Sequence, residues 1–579
     1  MRTIRYSTKR LGTVVLGLSF YALSIVQCVS QTSDSVLVPR AALESLESAI
    51  QGVAEAMKTI MAAVQDQATD TSRAPVKCNP LHEVMPDPTA PPSPDATSAD
   101  AKNAFDSSKL AQLSPDRKHL LLTSGLPCAE IVTPKGPKPL TAIENLQRGF
   151  DFYSWLTFLA LNTPAKGPTG IENASGGEQA VWENGQTFKP LLDVMLPGGA
   201  RPYWEKQVIP AACQALHVAH PDRMVVKMIE ESYNQPFKTG PLIDQHNNYA
   251  IFDILMNKAM FEYIVKHDLF SQQGQKGAAN SALRIDFPPG QNKDPKSTDP
   301  NNKDDVGSIM IKVSWKILEG EDNKSKFHHI DALMAMPATP DEQFDPPCLE
   351  KTLGLVGIHI VHKTIGRPQW IWTSFEHADN VPELSEIDNH TLKSSYNFYD
   401  RNCDAATCPP NETPPRPWDP EPQNQLKFRR RDDGEVLFNS QIVREVPLTP
   451  ATKAINEQFH AVLSNSVWKN YILIGTQWPS ASPCTGDQAQ VVNAPFPFTD
   501  FDKQPDMNCA PAPTFLANST LETFSQGTIP QASSSCMACH GNATSYLQRP
   551  PAKDAKDQND LHRTAMGQSD FTFMLEKAR

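Results

Sequence analysis

Proline restricts this chain more than any other residue. There are 51 prolines among 579 residues, nearly twice the usual share of about 5%, and they are clustered. The run Pro86-Asp87-Pro88-Thr89-Ala90-Pro91-Pro92-Ser93-Pro94 forms neither helix nor sheet ladder, because each ring removes a backbone N–H and fixes φ. Residues 67–140, rich in Pro, Ser, Asp and Thr, are therefore expected to be a linker or a wrapped surface segment. Residues 403–424, around Pro409-Pro410 and Pro414-Pro415, read as a long surface loop.

The first thirty residues read as a targeting segment. Arg2, Arg5, Lys9 and Arg10 occur with no acidic residue, Leu11 to Val26 is an apolar run, and Cys28 and Ser30 are small residues at the −3 and −1 places before Gln31. This predicts a signal peptide cleaved near residue 30 and a periplasmic location; the apolar run also approaches the length of an uncleaved membrane anchor. Cleavage removes those four basic residues and takes the formal charge from −12 to −16. An acidic chain has no bulk attraction for phosphate, so no nucleic acid partner is expected.

Leu43, Leu46, Ile50, Val53, Met57, Ile60 and Val64 follow spacings of three and four, which predicts an amphipathic heptad helix within residues 31–66. Residues 41–66 would serve either a homo-oligomer or packing against the rest of the chain. A main body is expected over 141–530. Helices are predicted over 142–161 and 249–267. Ile309, Ile311, Val313, Trp315 and Ile317 alternate with polar residues, predicting a half-buried strand; Leu355 to Thr364, Gln369 to His377 and Tyr471 to Trp478 read as further strands, the first two as consecutive strands or a hairpin. The expected fold class is α+β: an antiparallel β-rich body with packed helices, then a short, mainly helical segment over 531–579.

That segment holds Cys536-Met537-Ala538-Cys539-His540, the C-x-x-C-H spacing of c-type haem attachment. Two thiols three residues apart lie on one helical turn and reach the two haem vinyl groups, while the next residue presents an imidazole to iron. Cys536, Cys539 and His540 are the expected cofactor-binding residues for one covalent haem c, with His540 as an iron ligand. The alternatives are a disulfide within the motif or half of a zinc site, for which no second pair completes four ligands. Met566 is the first choice for the opposite ligand, with His562, Met574 or a side chain of the main body as rivals. The remaining cysteines beyond the signal, Cys78, Cys128, Cys213, Cys348, Cys403, Cys408, Cys484 and Cys509, suit up to four disulfides in an oxidising compartment, Cys403–Cys408 being the easiest local closure.

A second cluster comprises His359, His362, Trp370, Trp372, Phe375, Glu376 and His377. On a strand, positions 359 and 362 face opposite sides, so they are not expected to share a metal. His359 and His377 read as core histidines or as contributors to ligation, acid–base work or haem contact. His328-His329 reads as a loop pair and His217 and His220 as sharing a helix face, while Arg429-Arg430-Arg431 beside Asp432-Asp433 reads as a solvated turn.

Phe152-Tyr153-Ser154-Trp155 through Leu161-Asn162, Gly354 to His362, Trp370-Ile371-Trp372 through Glu376-His377, Trp468 through Gly475-Thr476-Gln477-Trp478-Pro479, Ser535 to His540 and Asp570-Phe571 resemble large exported bacterial proteins of the cytochrome c family. The similarity covers most of residues 145–579 and implies a periplasmic protein with one covalent haem near its C-terminus. The expected activity is single-electron transfer with a periplasmic redox partner protein. The size of the body leaves two alternatives: an oxidoreductase binding a small-molecule substrate near the haem, with His359, His377 and Glu376 contributing, and a non-enzymatic haem sensor.

Overall fold

The alternating segments assemble into one sheet of nine strands. The computed structural model describes residues 78–79, 122, 125–129 and 140–579, except 168, 281–282, 284, 294–296, 338–345, 422–424, 429–437, 480–510, 514, 528–533, 542 and 546–568. The leader, the heptad helix, the arginine run at 429–431, Cys484, Cys509, His562 and Met566 lie outside the described residues.

In chain order the elements are β1 (Cys78–Asn79), β2 (Leu126–Pro127), α1 (Leu140–Asn162), β3 (Phe188–Pro190), α2 (Gln214–Ala219), β4 (Met224–Lys227), β5 (Ile251–Asn257), α3 (Lys258–Lys266), α4 (Gln272–Asn280), β6 (Ile309–Ile317), β7 (His329–Ala335), β8 (Leu349–Thr364), β9 (Arg367–His377), α5 (Leu384–Asp388), α6 (Pro450–Val462), β10 (Tyr471–Pro479), β11 (Pro511–Ala512) and α7 (Cys536–His540). The sheet runs β11-β10-β9-β8-β6-β5-β3, with β7 added to β8 and β4 to β7. Every pair in it is antiparallel except β4–β7. The fold is α+β.

One face of the sheet packs on α1 and α6. Trp155 of α1 lies 4.8 Å from Phe375 of β9 and stacks at 4.7 Å on Phe459 of α6; Phe158 stacks on Phe375 at 4.1 Å. Ser154 of α1 hydrogen-bonds Thr373 and Thr476 at 2.6 and 2.7 Å, so the buried hydroxyls are paired. The predicted first helix is therefore present, with Asn162 and Thr163 returning side-chain bonds to the carbonyls of Phe158 and Leu159 at its end.

Four expectations are corrected. Residues 249–267 are not one helix: Ile251–Asn257 is a strand and only Lys258–Lys266 is helical. Asn257 makes the break, its side-chain oxygen capping Met260 N at 3.2 Å while its amide donates to Gly307 O at 2.8 Å, so residues before it belong to the sheet. β6 is not half-buried, because Ser314 and Lys316 are covered on the second face too. His329 opens β7 rather than a loop, and α2 ends before His220, so His217 and His220 do not share that helix.

Two β-bulges set which residues meet that second face. In β8, Gly357 pairs with Ser314 and Leu355 with Trp315, leaving Val356 as an extra residue. Leu353 and Leu355 thus pack in the α1-side core, as do Ile358 and Ile360, while Val356 packs on the opposite side. In β10 the corresponding extra residue is Ile474, between Leu473 and Gly475. Among the described residues three disulfides are present, Cys78–Cys128, Cys213–Cys348 and the expected Cys403–Cys408. Among the described residues no helix is long and apolar enough to cross a membrane.

Candidate functional site

The second face of the sheet carries a row of cross-strand neighbours. Met256 of β5, Met310 of β6, Val361 of β8, Trp372 of β9 and Gln477 of β10 are paired in succession. The next row is Ile254, Lys312, His359 and Ser374. Side chains two residues apart on one strand share a face, so these rows form a continuous floor under the C-terminal segment.

The helix α7 rests on that floor. Five residues are too few to hold a helix by propensity, and the sheet supplies what is missing: Gln477 Oε1 accepts from Met537 N at 2.8 Å and from Ser535 Oγ at 3.2 Å. Ser535 caps the helix by accepting from Ala538 N at 3.3 Å. Met537 is buried in the apolar cluster with Trp372, Val361 and Met310, which turns Cys536, Cys539 and His540 toward a cavity of about 870 Å³. Trp372 lies 4.4 Å from the His540 ring and Phe573 5.1 Å.

His540 Nδ1 donates to Phe571 O at 2.9 Å, which leaves Nε2 as the ring's acceptor. A backbone carbonyl on one ring nitrogen is the arrangement that fixes tautomer and orientation in metal-ligating histidines. Burial pulls the His540 imidazolium down to about 4, with Phe571 O opposing and Lys312 adding to the shift, so the ring is neutral at neutral pH. Burial also pushes the Cys536 thiol well above its usual range and Cys539 to about 12, with the Glu522 carboxylate adding to both. Both are therefore protonated, unlike the low-pKa thiol of a reactive dithiol. They are free cysteines, whereas the other six described cysteines are disulfide-bonded.

The sheet adds polar groups to the cavity. His359, Lys312 and Glu522 line it, with His359 Nε2 3.3 Å from Glu522 Oε2. Burial pushes the Glu522 carboxyl up, but His359 and Lys312 outweigh it and hold it below its usual value. Glu522 is placed by residues 516–523, which cross the second bulged face: Asn518 donates to Ser374 Oγ and Phe375 O at 3.1 and 3.0 Å. A Cβ at Gly357 would collide with Thr520 Oγ1 and Ser314 Oγ, so the close crossing requires glycine.

The histidines separate as the strand geometry predicts. His359 reaches the cavity; His362 lies on the α1 side, where Nδ1 accepts from Tyr153 and Nε2 donates to Val306 O. His377 donates to Lys326 O and accepts from Asp379 N, both at 3.1 Å, and stacks on Phe327. Glu376 is paired with Arg444 and accepts from Ser519 N and Oγ at 3.0 and 2.6 Å. Neither His377 nor Glu376 lines the cavity. Met574 and Met310 do, and Met574 is buried.

The donor set fits a covalently held haem: two unpaired thiols and an imidazole with its second nitrogen engaged open on one cavity whose volume falls within the ~300–1,000 Å³ of cofactor pockets. Among the described residues no group of three or more His, Cys, Asp or Glu side chains is arranged to hold a bare metal ion. The sequence assigned no role to Gln477, Phe571, Asp570 or Trp370, since their roles are contacts between segments far apart in the chain. No family model, curated protein or solved structure matches the chain.

Proposed function

We propose that this chain is an exported, periplasmic monohaem c-type cytochrome that transfers single electrons to or from a periplasmic redox partner protein. The observation that carries the reading is the convergence of Cys536, Cys539 and His540 on one cavity, with His540 Nδ1 held by Phe571 O. Cys536 and Cys539 would hold the haem, His540 would ligate its iron, and Met566 is the ligand proposed for the opposite side, with His562, Met574 and, from the main body, Met310 and His359 as alternates. A bound haem supplies a one-electron ferric/ferrous couple whose potential follows its axial ligands and burial. The chain's own part is to orient His540, keep it neutral and exclude water with Trp372, Phe573 and Met537.

The test is periplasmic expression followed by absorption and electron paramagnetic resonance spectra, oxidised and reduced, with carbon monoxide added to the reduced form. Low-spin spectra and indifference to carbon monoxide are expected for electron transfer. A variant lacking both thiols, Cys536→Ala with Cys539→Ala, should lose acid-stable haem; acid-stable haem retained in that variant overturns the reading.

A second reading has its own observation. His359, Glu522 and Lys312 give the cavity a polar wall, which suits a small molecule bound beside the haem in an oxidoreductase or a sensor. A high-spin spectrum or ready carbon monoxide binding would favour it.

A further inference from the structure

The carbonyl that receives His540 belongs to a turn with unusual backbone. Asp570 and Phe571 both have positive φ, 52° and 62°, a conformation that strains a non-glycine residue and persists only where the surroundings hold it. Here the hold is a buried ion pair. Asp570 Oδ2 accepts from Lys363 Nζ at 2.5 Å and from Phe287 N at 2.7 Å, and Oδ1 accepts from Trp370 Nε1 at 3.4 Å. The Lys363 and Asp570 side chains are 3% and 7% exposed. Ser569 closes the turn, Oγ donating to Thr572 O at 2.8 Å and its carbonyl accepting from Thr572 N at 3.2 Å.

Lys363 stands on the same face of β8 as His359 and Val361, two residues apart in each step. It also reaches Asp286 and lies 5.9 Å from the Trp370 ring centre. The sheet, the Asp570–Phe571 turn and His540 are thus joined in one line of contacts: Lys363 to Asp570, Asp570 to its neighbour Phe571, and Phe571 O to His540 Nδ1.

We propose that Lys363 and Asp570 are positioning residues that fix the Phe571 carbonyl and so set the orientation and donor strength of His540. The assignment rests on the haem reading above. A firm Nδ1–H···O bond makes imidazole a better electron donor, which favours the ferric state. Loosening the turn weakens that bond and raises the reduction potential.

The discriminating variant is the full-length, haem-loaded chain carrying Lys363→Met with Asp570→Asn, which removes the pair without changing net charge. Covalent haem should stay at the wild-type level. The one-electron equilibrium should shift toward ferrous by about tenfold, the lower end of what losing an outer partner costs a metal site, which is about 59 mV. The g-values of the ferric protein should move as well, and Lys363→Arg alone, which keeps the ion pair with Asp570, should hold both readouts near wild type. Should the double variant fail to fold, Asp570→Asn alone, nearly isosteric, gives the same two readouts. Full haem with wild-type potential and g-values overturns the proposal. If wild-type protein takes up no covalent haem, the haem reading is what fails; the clasp is then read on the haem-free chain from the ¹⁵N shifts of His540, and a Nδ1–H tautomer as dominant in the double variant as in wild type overturns it.

Discussion

Gln477 Oε1 accepts a hydrogen bond from Met537 N at 2.8 Å, tying β10 to the first turn of the five-residue motif helix. Gln477→Leu removes the acceptor and leaves Met537 N and Ser535 Oγ without it. Such a loss costs about 1–3 kcal/mol per buried group. Denaturant unfolding should show a lower midpoint with an unchanged slope, and the haem content of exported protein should fall. Unchanged stability and haem content would show that α7 is held by packing alone.

Met566→Ala tests the opposite ligand. Replacement of a ligating methionine should abolish the Met–iron charge-transfer band and let the reduced protein bind carbon monoxide. If the band and the carbon monoxide response stay as in wild type, the ligand is another side chain, and Met574, Met310 and His359, which line the cavity, are the next substitutions.

Asp253 predicts a pH-dependent gain in stability. Burial raises its carboxyl to about 7, Asp193 adds to the rise, and a bond from Ile254 N and the Lys227 ammonium oppose it. A folded-state pKa above the unfolded one means that stability present below about pH 4 is lost as pH rises toward 7. Asp253→Asn should therefore stabilise the protein by on the order of 4 kcal/mol at pH 8 and by little at pH 4. Thermal unfolding of both proteins across that range checks it; a pH-independent difference would point to altered packing instead.

The disulfides should differ in worth. Cys213–Cys348 spans 135 residues and Cys403–Cys408 only 5. Loop-closure entropy gives about 5 kcal/mol for the first and about 2 for the second. Replacing each pair with alanine and measuring urea midpoints should reproduce that order.

Glu376→Gln should lower stability while leaving the haem spectrum alone, because Glu376 is paired with Arg444 and Ser519 away from the cavity. Breaking a buried pair costs about 3–5 kcal/mol. A changed haem spectrum at unchanged stability would return Glu376 to the site.

The strands of the core were legible because β6 alternates and because the β8–β9 pair and β10 are short runs rich in β-branched and aromatic residues, and α1 because its apolar positions recur with the helical period. The motif was legible because its chemistry is local. What stayed hidden depended on long-range contact. Asn257 is a helix cap only because residues 251–256 pair with β6; read locally, Ile251, Ile254 and Leu255 fit a helix equally well. That His359 and His362 part company follows from alternation, but which of them meets the cavity depends on the extra residue at Val356, and an insertion of that kind leaves no trace in a hydropathy pattern. Phe571 is one more aromatic in the sequence until the fold brings its carbonyl to His540.

The bulge in β8 makes the cavity wall a matter of parity. Were Val356 taken into regular pairing, with no residue lost, alternation would run unbroken from Leu353 onward, and every residue after Val356 would change sides. Ile358, Ile360 and His362 would face the cavity, while His359, Val361 and Lys363 would be driven into the apolar layer against α1. Loss of the bulge alone, with no residue of the strand or of the motif changed, would exchange a charged wall for an aliphatic one. A β8 of the same length that pairs without the bulge would therefore build a different pocket even where Cys-x-x-Cys-His is intact.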